Sequence, residues 1–441
     1  MKKLLATFMM IIMAVTFVSC GKSSKSEYTF KEINDDVKIK ETVIVDDERI
    51  KITAKDIEFK DTNVEIILEF ENPLNLEASI RASGLGINGY MLDCYVSTDI
   101  DPNSKTEDSF LIPNSQFYRY GISDIAQLEF IFFYENVLRE SDTFRASLKT
   151  DIYDKYKQPE NSYYKVMTDE KAVDKVGIEV LGIKKVEFEK QEGIIVKSVA
   201  YASVDEKIHL YIEAYNSNKE DVEFAVGDIL IDKITIVSDA YLGQQVFAES
   251  TVVLNIELED ILLEQFKMLG IDILNVGSIE VEAIMAYESN EKEHNIGMVS
   301  CIFDENKRYD STGEVIYYNN GIKIISKNYS EGDFGGIFGN ERYTIPFLIV
   351  ENNSDKTIYF DDGRDMHVTV NGQTPRYIGF ASHSIKPGQS AIINIFLLNS
   401  HLEEIGITDK SQITELTIKT SILEYQNGKN VIDEIELKVN Y

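Results

Sequence analysis

The chain has 441 residues, enough for several independent cores at about 150 residues per domain. Its hydrophobic content of 44% and aromatic content of 10% exclude a disordered polymer. With 75 acidic against 44 basic residues the formal charge is -31, which repels nucleic acid and anionic headgroups and excludes nucleic acid as a partner.

The first element reads as an export signal. Lys2 and Lys3 precede the uncharged run Leu4 to Val18, then Ser19 and Cys20. That run is shorter than the ~20 residues a membrane-spanning helix needs, so residues 1–19 read as a cleaved signal peptide. Losing Lys2 and Lys3 takes the charge from -31 to -33. The stretch "FVSC" resembles the lipobox of bacterial lipoproteins, although Phe17 stands where that family usually has Leu. The resemblance implies a lipid on Cys20, palmitate included, and a protein held on the extracytoplasmic face of the cell membrane. Residues 20–35, with "GKSSKSEYTFKE", read as a polar tether. "GKSS" is not a phosphate loop, because Thr16 occupies the position where that motif needs Gly.

Three copies of one plan follow. Each opens on a β-rich start, "IKIT" at Ile50, "IEVL" at Ile178 and "IKII" at Ile322. A strand then ends near an Asn: Val64 to Phe70 before Asn72, His209 to Tyr215 before Asn216, Ile345 to Val350 before Asn352. "ING" at Ile87 to Gly89 and "VNGQ" at Val370 to Gln373 read as hairpin turns, and "IKPGQS" at Ile385 to Ser390 as a loop before the strand Ala391 to Leu397.

Each copy closes on a helical turn that stops at Gly121, Gly270 or Gly406, with Ile next, then Asp124, Asp272 or Asp409, then a strand. The glycines suit the left-handed residue after a helix end, and Ser400 with Glu403 reads as a capping box. The Asn-to-Gly separations are 49, 54 and 54 residues, a repeat rather than a coincidence.

With 7 Pro and one helix per copy, no βαβ alternation appears and an antiparallel sandwich fits. The reading is therefore all-β, three tandem antiparallel β-sandwich domains at 36–152, 166–303 and 315–441, each with one short helix. Polar stretches at Tyr153 to Lys165 and Asp304 to Glu314 separate them.

The strand ending near "EN", the "NG" hairpin, the "PGQ" loop and the helix ending in "GI" resemble the immunoglobulin-like domains of Gram-positive, clostridial-type lipoproteins. The first copy departs from that pattern, since "EDSFLIPN" has no "PG". The resemblance implies an immunoglobulin-like fold and an envelope location, and it brings no catalytic residues.

The chain carries no HExxH, GxSxG, CxxC or complete phosphate loop. His367, His383 and His401 lie in the third copy at spacings that predict no shared face, and Cys94 and Cys301 read as buried thiols. Neither a metal site nor a cofactor is indicated. Asp99, Asp101 and Asn103 begin like a calcium loop, but Ser104 and Phe110 stand where that loop needs Gly and Glu; "FDDGRD", Phe360 to Asp365, also groups acids at a turn. Calcium stays open only as an alternative to ordinary polar loops.

The stretch least like its counterparts is "EGDFGGIFGNERY", Glu331 to Tyr343, where Phe334, Phe338 and Arg342 form a candidate binding loop. Its alternative is a hairpin tip whose Phe side chains fold back on the core. The expectation is a non-enzymatic binding or structural module of the envelope, tethered to the membrane through Cys20 and meeting an envelope protein or glycan. The alternatives are a solute-capturing lipoprotein serving a transporter and an envelope enzyme without a recognisable motif.

Overall fold

A computed structural model describes residues 30–157, 163–189, 193–237, 242–258, 265–286, 293–333, 342–360, 366–375, 377–380, 384–424 and 430–440. Within them the chain is all-β, built as sandwiches of antiparallel sheets with a few short helices.

In the first unit β1 (Thr42–Asp46), β2 (Lys51–Phe59), β3 (Asn63–Asn72) and β6 (Ser104–Pro113) form one sheet; β4 (Ala78–Ile87), β5 (Tyr90–Ile100), β7 (Gln127–Asn136) and β8 (Ser141–Lys149) face it. The β3 sequence writes this directly, since Val64, Ile66, Leu68 and Phe70 are buried and alternate with Glu65, Glu69 and Glu71. Burial of each such apolar side chain contributes about 1.5–3 kcal/mol. The pairing of β3 with β6 and of β4 with β7 joins strands from different hairpins, as in immunoglobulin-like Greek keys.

The second unit repeats the order. β9 (Glu179–Glu189), β10 (Ile194–Val204), β11 (Lys207–Asn216) and β15 (Thr251–Leu258) form one layer. β12 (Val222–Ile231), β13 (Ile234–Val237), β14 (Leu242–Val246), β16 (Ser278–Ala286) and β17 (Glu293–Ile302) form the other.

In the third unit β18 (Glu314–Asn319), β19 (Ile322–Asp333), β20 (Arg342–Asn352) and β24 (Ser390–Leu398) face β21 (Ile358–Phe360), β22 (His367–Val370), β25 (Glu415–Glu424) and β26 (Asn430–Asn440). Here β23 (Tyr377–Phe380) leaves β22 and pairs with β24. Pro375, between the turn and β23, has no N–H to give to a ladder with β22.

The units share sheets. β15 meets β5 in parallel at Thr251 and Tyr90, fusing the second layer of the first unit to the first layer of the second. β13 meets β24 in parallel, Ile234 with Ser390 and Thr235 with Ala391, and fuses the second unit to the third. One hydrophobic cluster accordingly combines the first unit's core with Tyr163, Ala200, Tyr211 and Val253. The next takes Met91 and Ile131 from the first unit and Phe347, Ile349 and Ile392 from the third. At the first junction Phe247 lies on Gly86, where a Cβ would come within 3.1 Å of the ring. A larger residue at position 86 would push the two units apart.

The helices whose full extent is described are α1 (Asn114–Tyr120), α2 (Tyr163–Met167), α3 (Glu170–Val176) and α4 (Asn399–Glu404), and residues 265–268 are also helical. The second unit therefore carries more than the single helix expected. α2 begins inside the stretch read as a polar separator and buries Tyr163. Asp169 caps α3 by accepting from Ala172 N at 3.0 Å, and Gly177 ends it at φ +73°.

The capping box expected at Ser400 is absent, because α4 starts from Leu398 without a side-chain cap. The box lies instead at Asp409 and Gln412, on the following 3-10 turn Lys410–Gln412. The end of the polar tether also differs from its reading. Asn34 N donates to Ser123 O at 2.7 Å and Asn34 Nδ2 to Asp124 Oδ1 at 2.9 Å, so residues 30–35 are fastened to the first unit.

Candidate functional site

The residues that the copies share are structural nodes. Asn72, Asn216 and Asn352 are buried, and each closes the turn after its strand in the same way. Nδ2 donates to a carbonyl four residues on, Leu76, Glu220 or Lys356, and to a more distant one, Ile100, Val246 or Ile385, while Oδ1 accepts the N–H of residue 74, 218 or 354. A second set lies at the hairpin turns. Asn88 Oδ1 accepts from Ala126 N and Gln127 N, Asp232 Oδ1 from Gly277 N and Ser278 N, and Asn371 Oδ1 from Thr414 N and Glu415 N.

A third set is the helix stop. Gly121, Gly270 and Gly406 have φ of +69°, +64° and +83°. The next residue, Ile122, Ile271 or Ile407, donates back to Phe117, Phe266 or Leu402. All six of these apolar residues are buried.

The structure describes few of the expected site residues. Cys20, Phe334, Phe338 and His383 lie outside the described residues, and Arg342 opens β20 with its side chain also outside them. His367 is exposed on β22 opposite Lys419, while His401 is on α4. Asp101 and Asn103 sit in the β5–β6 turn, where Asn103 has φ +50° and Ser104 Oγ donates to Asp101 O. Residues 361–365 of the other acidic turn lie outside the described residues. Cys94 and Cys301 are buried free thiols; burial pushes Cys301 up to about 12 and Cys94 higher. Among the described residues no three His, Cys, Asp or Glu side chains are grouped to hold a metal ion.

What the units do bring together is a pair of clefts flanking the first junction. The larger, about 910 Å³, runs between α1 and β14, with β15 at its floor. From their meeting at Thr251 and Tyr90 the strands β5 and β15 splay apart, and the Tyr120 phenol fills the wedge. Its OH donates to Met91 O at 2.8 Å and accepts from Val253 N at 3.3 Å, standing where a ladder bond would be. Burial pushes Tyr120 up to about 12, so it stays protonated and able to donate.

Beside it Arg119 reaches over Tyr211, with the guanidinium carbon 5.2 Å from the ring centre. Arg119 Nε is buried without an acceptor. Asp93, Gln116, Glu223, Gln244 and Asn255 complete the walls. Behind Tyr211 lies buried Glu213, which accepts from Ser198 Oγ at 2.7 Å and Tyr163 N at 3.1 Å; burial raises its pKa, against the pull of those hydrogen bonds.

The second cleft, about 840 Å³, is lined by Tyr153, Tyr156, Lys197 and Tyr215 with Glu129 and Glu249. Lys197 Nζ stands 4.3 Å from the centre of the Tyr215 ring, and Lys149 Nζ 3.8 Å from that of Tyr153. Burial lowers the Lys197 pKa and raises that of Glu129. Both clefts offer aromatic surface, donors and one half-buried cation, an inventory suited to holding a ligand.

These residues were missed in the sequence for identifiable reasons. Tyr153 and Tyr156 fall in a presumed separator, and Arg119 in a helix too short to announce a face. Among the repeated turn residues, Asp232 was also unread, although it stands 16 residues after Asn216 as Asn88 does after Asn72.

No family model matches the chain, and no curated protein matches it. A solved structure from work on host cell surface retention of a 1.5-MDa bacterial ice-binding adhesin aligns over 86% of this chain and 90% of its own, at 10% identity and a TM-score of 0.14. Another, of a Ca2+-stabilised adhesin that helps an Antarctic bacterium reach out and bind ice, aligns over 86% of this chain and 68% of its own, at 8% identity and a TM-score of 0.13. Similarity at that level bears on neither fold nor function here.

Proposed function

We propose that the chain is a non-enzymatic binding and spacer module of the bacterial cell envelope, held to the extracytoplasmic face of the membrane by a lipid on Cys20. Residues 1–19 are the signal peptide in this reading, the tether starts at Cys20, and the domains span 36–152, 166–303 and 315–441. The observation that carries the spacer part is sheet sharing. Strand pairing at Thr251 with Tyr90 and at Ile234 with Ser390 continues the sheets from unit to unit, so the arm resists bending where a linked string of domains would not.

The binding part rests on the clefts at the first junction, and the partner is an envelope protein or glycan. Phe334, Phe338 and Arg342 remain a second candidate contact. Cys20→Ala tests the anchor: the account expects loss of labelling by a palmitate analogue and release from the membrane fraction. Retained labelling and retention at the membrane would overturn it.

A further inference from the structure

We propose that the free edge of β15 is a docking site for an extended peptide segment of a partner protein, one carrying a single acidic side chain opposite Asn255. This rests on the reading of the chain as a binding module.

The edge is defined by what β5 leaves behind. Thr251 N donates to Gly89 O at 2.7 Å, and Tyr120 supplies the bond at Val253. Beyond that point no described strand pairs with β15 on this side. Main-chain groups alternate direction along a strand, so those of Asn255 and Glu257 face the cleft as those of Thr251 and Val253 do. Exposed edges are ordinarily blunted by Pro, Lys or a bulge. β15 reads "TVVLNIEL", with neither residue, and pairs with β11 from Thr251 to Leu258 without a register break. A regular open edge on a cleft floor is the geometry of strand addition, in which main-chain bonds supply affinity and flanking side chains supply choice.

Arg119 specifies the acid. Tyr211 is the cross-strand partner of Asn255, so a side chain on the same face of an added strand, level with Asn255, lies beside the guanidinium stacked on Tyr211. Arg49, Arg81 and Arg145 each hold a carboxylate. Among the described residues Arg119 holds none, and its buried Nε has no acceptor. A carboxylate on the added strand meets both needs. Asp93 and Glu223 on the walls repel further negative charge, so the segment has one acidic residue in otherwise neutral or basic surroundings and is not a polyanion.

The test is an array of ten-residue peptides built from Thr, Val and Lys, with one Glu moved through every position, probed with the full chain carrying Cys20→Ser. The tightest peptide should bind at least about tenfold better than its Gln counterpart, and Arg119→Met should erase that difference. Hydrogen exchange should slow at Asn255 and Glu257 on binding. Asn255→Pro, tolerated because that N–H faces the cleft, should abolish binding.

Failure of the whole array, equal binding by Arg119→Met, or protection confined to other strands would overturn the site. So would sedimentation showing that the edge is occupied by a second copy of the chain, through a dimer lost in Asn255→Pro. Membrane release of Cys20→Ala reads the anchor independently, so failure here leaves that reading separately decided.

Discussion

Replacing Lys386 with Met should loosen the third unit from the second. Lys386 stands in the loop before β24, and its ammonium lies 2.9 Å from Asp228 Oδ2 and 2.7 Å from Glu282 Oε1, both carried by the second unit. The side chains of Asp228 and Glu282 are 1% and 10% exposed, that of Lys386 34%. Burial opposes the charge on Lys386, but the hydrogen bonds to Glu282 and Asp228 outweigh it and hold the pKa above the ordinary lysine value.

A raised lysine pKa means stability that is present below the unfolded value and lost only as pH rises through the folded one, so the lock is intact at neutral pH. Removing the cation takes the counter-charge from two largely buried carboxylates. The cost is about 3 kcal/mol, the low end of the usual 3–5 for a broken buried pair, because the lysine head is partly wet. A change of that size raises local opening by roughly 150-fold.

The assay is native-state hydrogen exchange at Ile234, Thr235, Ser390 and Ala391, the residues that join β13 to β24. Adding Asp228→Asn and Glu282→Gln to the Met variant should recover most of the loss, since neutral amides no longer repel. Exchange within about threefold of wild type, or no recovery in the triple variant, would refute the electrostatic account.

Asn216→Ala should destabilise the second unit by about 3 kcal/mol in chemical denaturation, because three carbonyl partners and the Asn218 N–H lose their bonds in a buried turn; a loss below about 1 kcal/mol would deny that the repeated Asn is a structural node. Asp310 is held down at about 2 by its hydrogen bonds, first to Lys327 and then to Thr312. A depressed carboxylate pKa gives stability that is present above the unfolded value and lost as pH falls toward 2. Its titration by NMR should move up toward the ordinary range in Lys327→Met, and an unmoved midpoint would contradict the assignment.

Glu213 has a pKa raised by burial, so its contribution is present below the unfolded value and lost as pH rises. Glu213→Gln should match or exceed wild-type thermal stability at pH 8 and lose that margin toward pH 4, whereas Glu213→Ala should be less stable at both. A Gln variant clearly weaker at pH 8 would reverse the sign.

The parts of the fold legible in the sequence are those demanded by local backbone chemistry. A strand that ends in a buried turn needs a side chain with both donor and acceptor, which writes Asn72, Asn216 and Asn352. A helix that stops in the left-handed region needs Gly121, Gly270 and Gly406. The same chemistry was present but unread at Asp169 and Gly177, which bracket α3, and at Asp232, which does the work of Asn88 without a following Gly.

The fusion of the units was not legible. A parallel meeting such as Tyr90 with Thr251 leaves no periodicity in either strand. The residues His209, Tyr211 and Glu213 suggest a wet face on β11, yet helices and the first unit bury that face. Tertiary packing overrode the alternation rule there. The clefts depend on that fusion, so Arg119, Lys197 and the separator tyrosines carried no mark of their role.

Small-angle X-ray scattering of the Cys20→Ser chain tests the shared-sheet arm most directly. The account predicts a bell-shaped Kratky curve that returns to baseline and is unchanged between low and moderate salt, the signature of one rigid particle. A raised plateau at high angle, the signature of three domains moving on linkers, would contradict it.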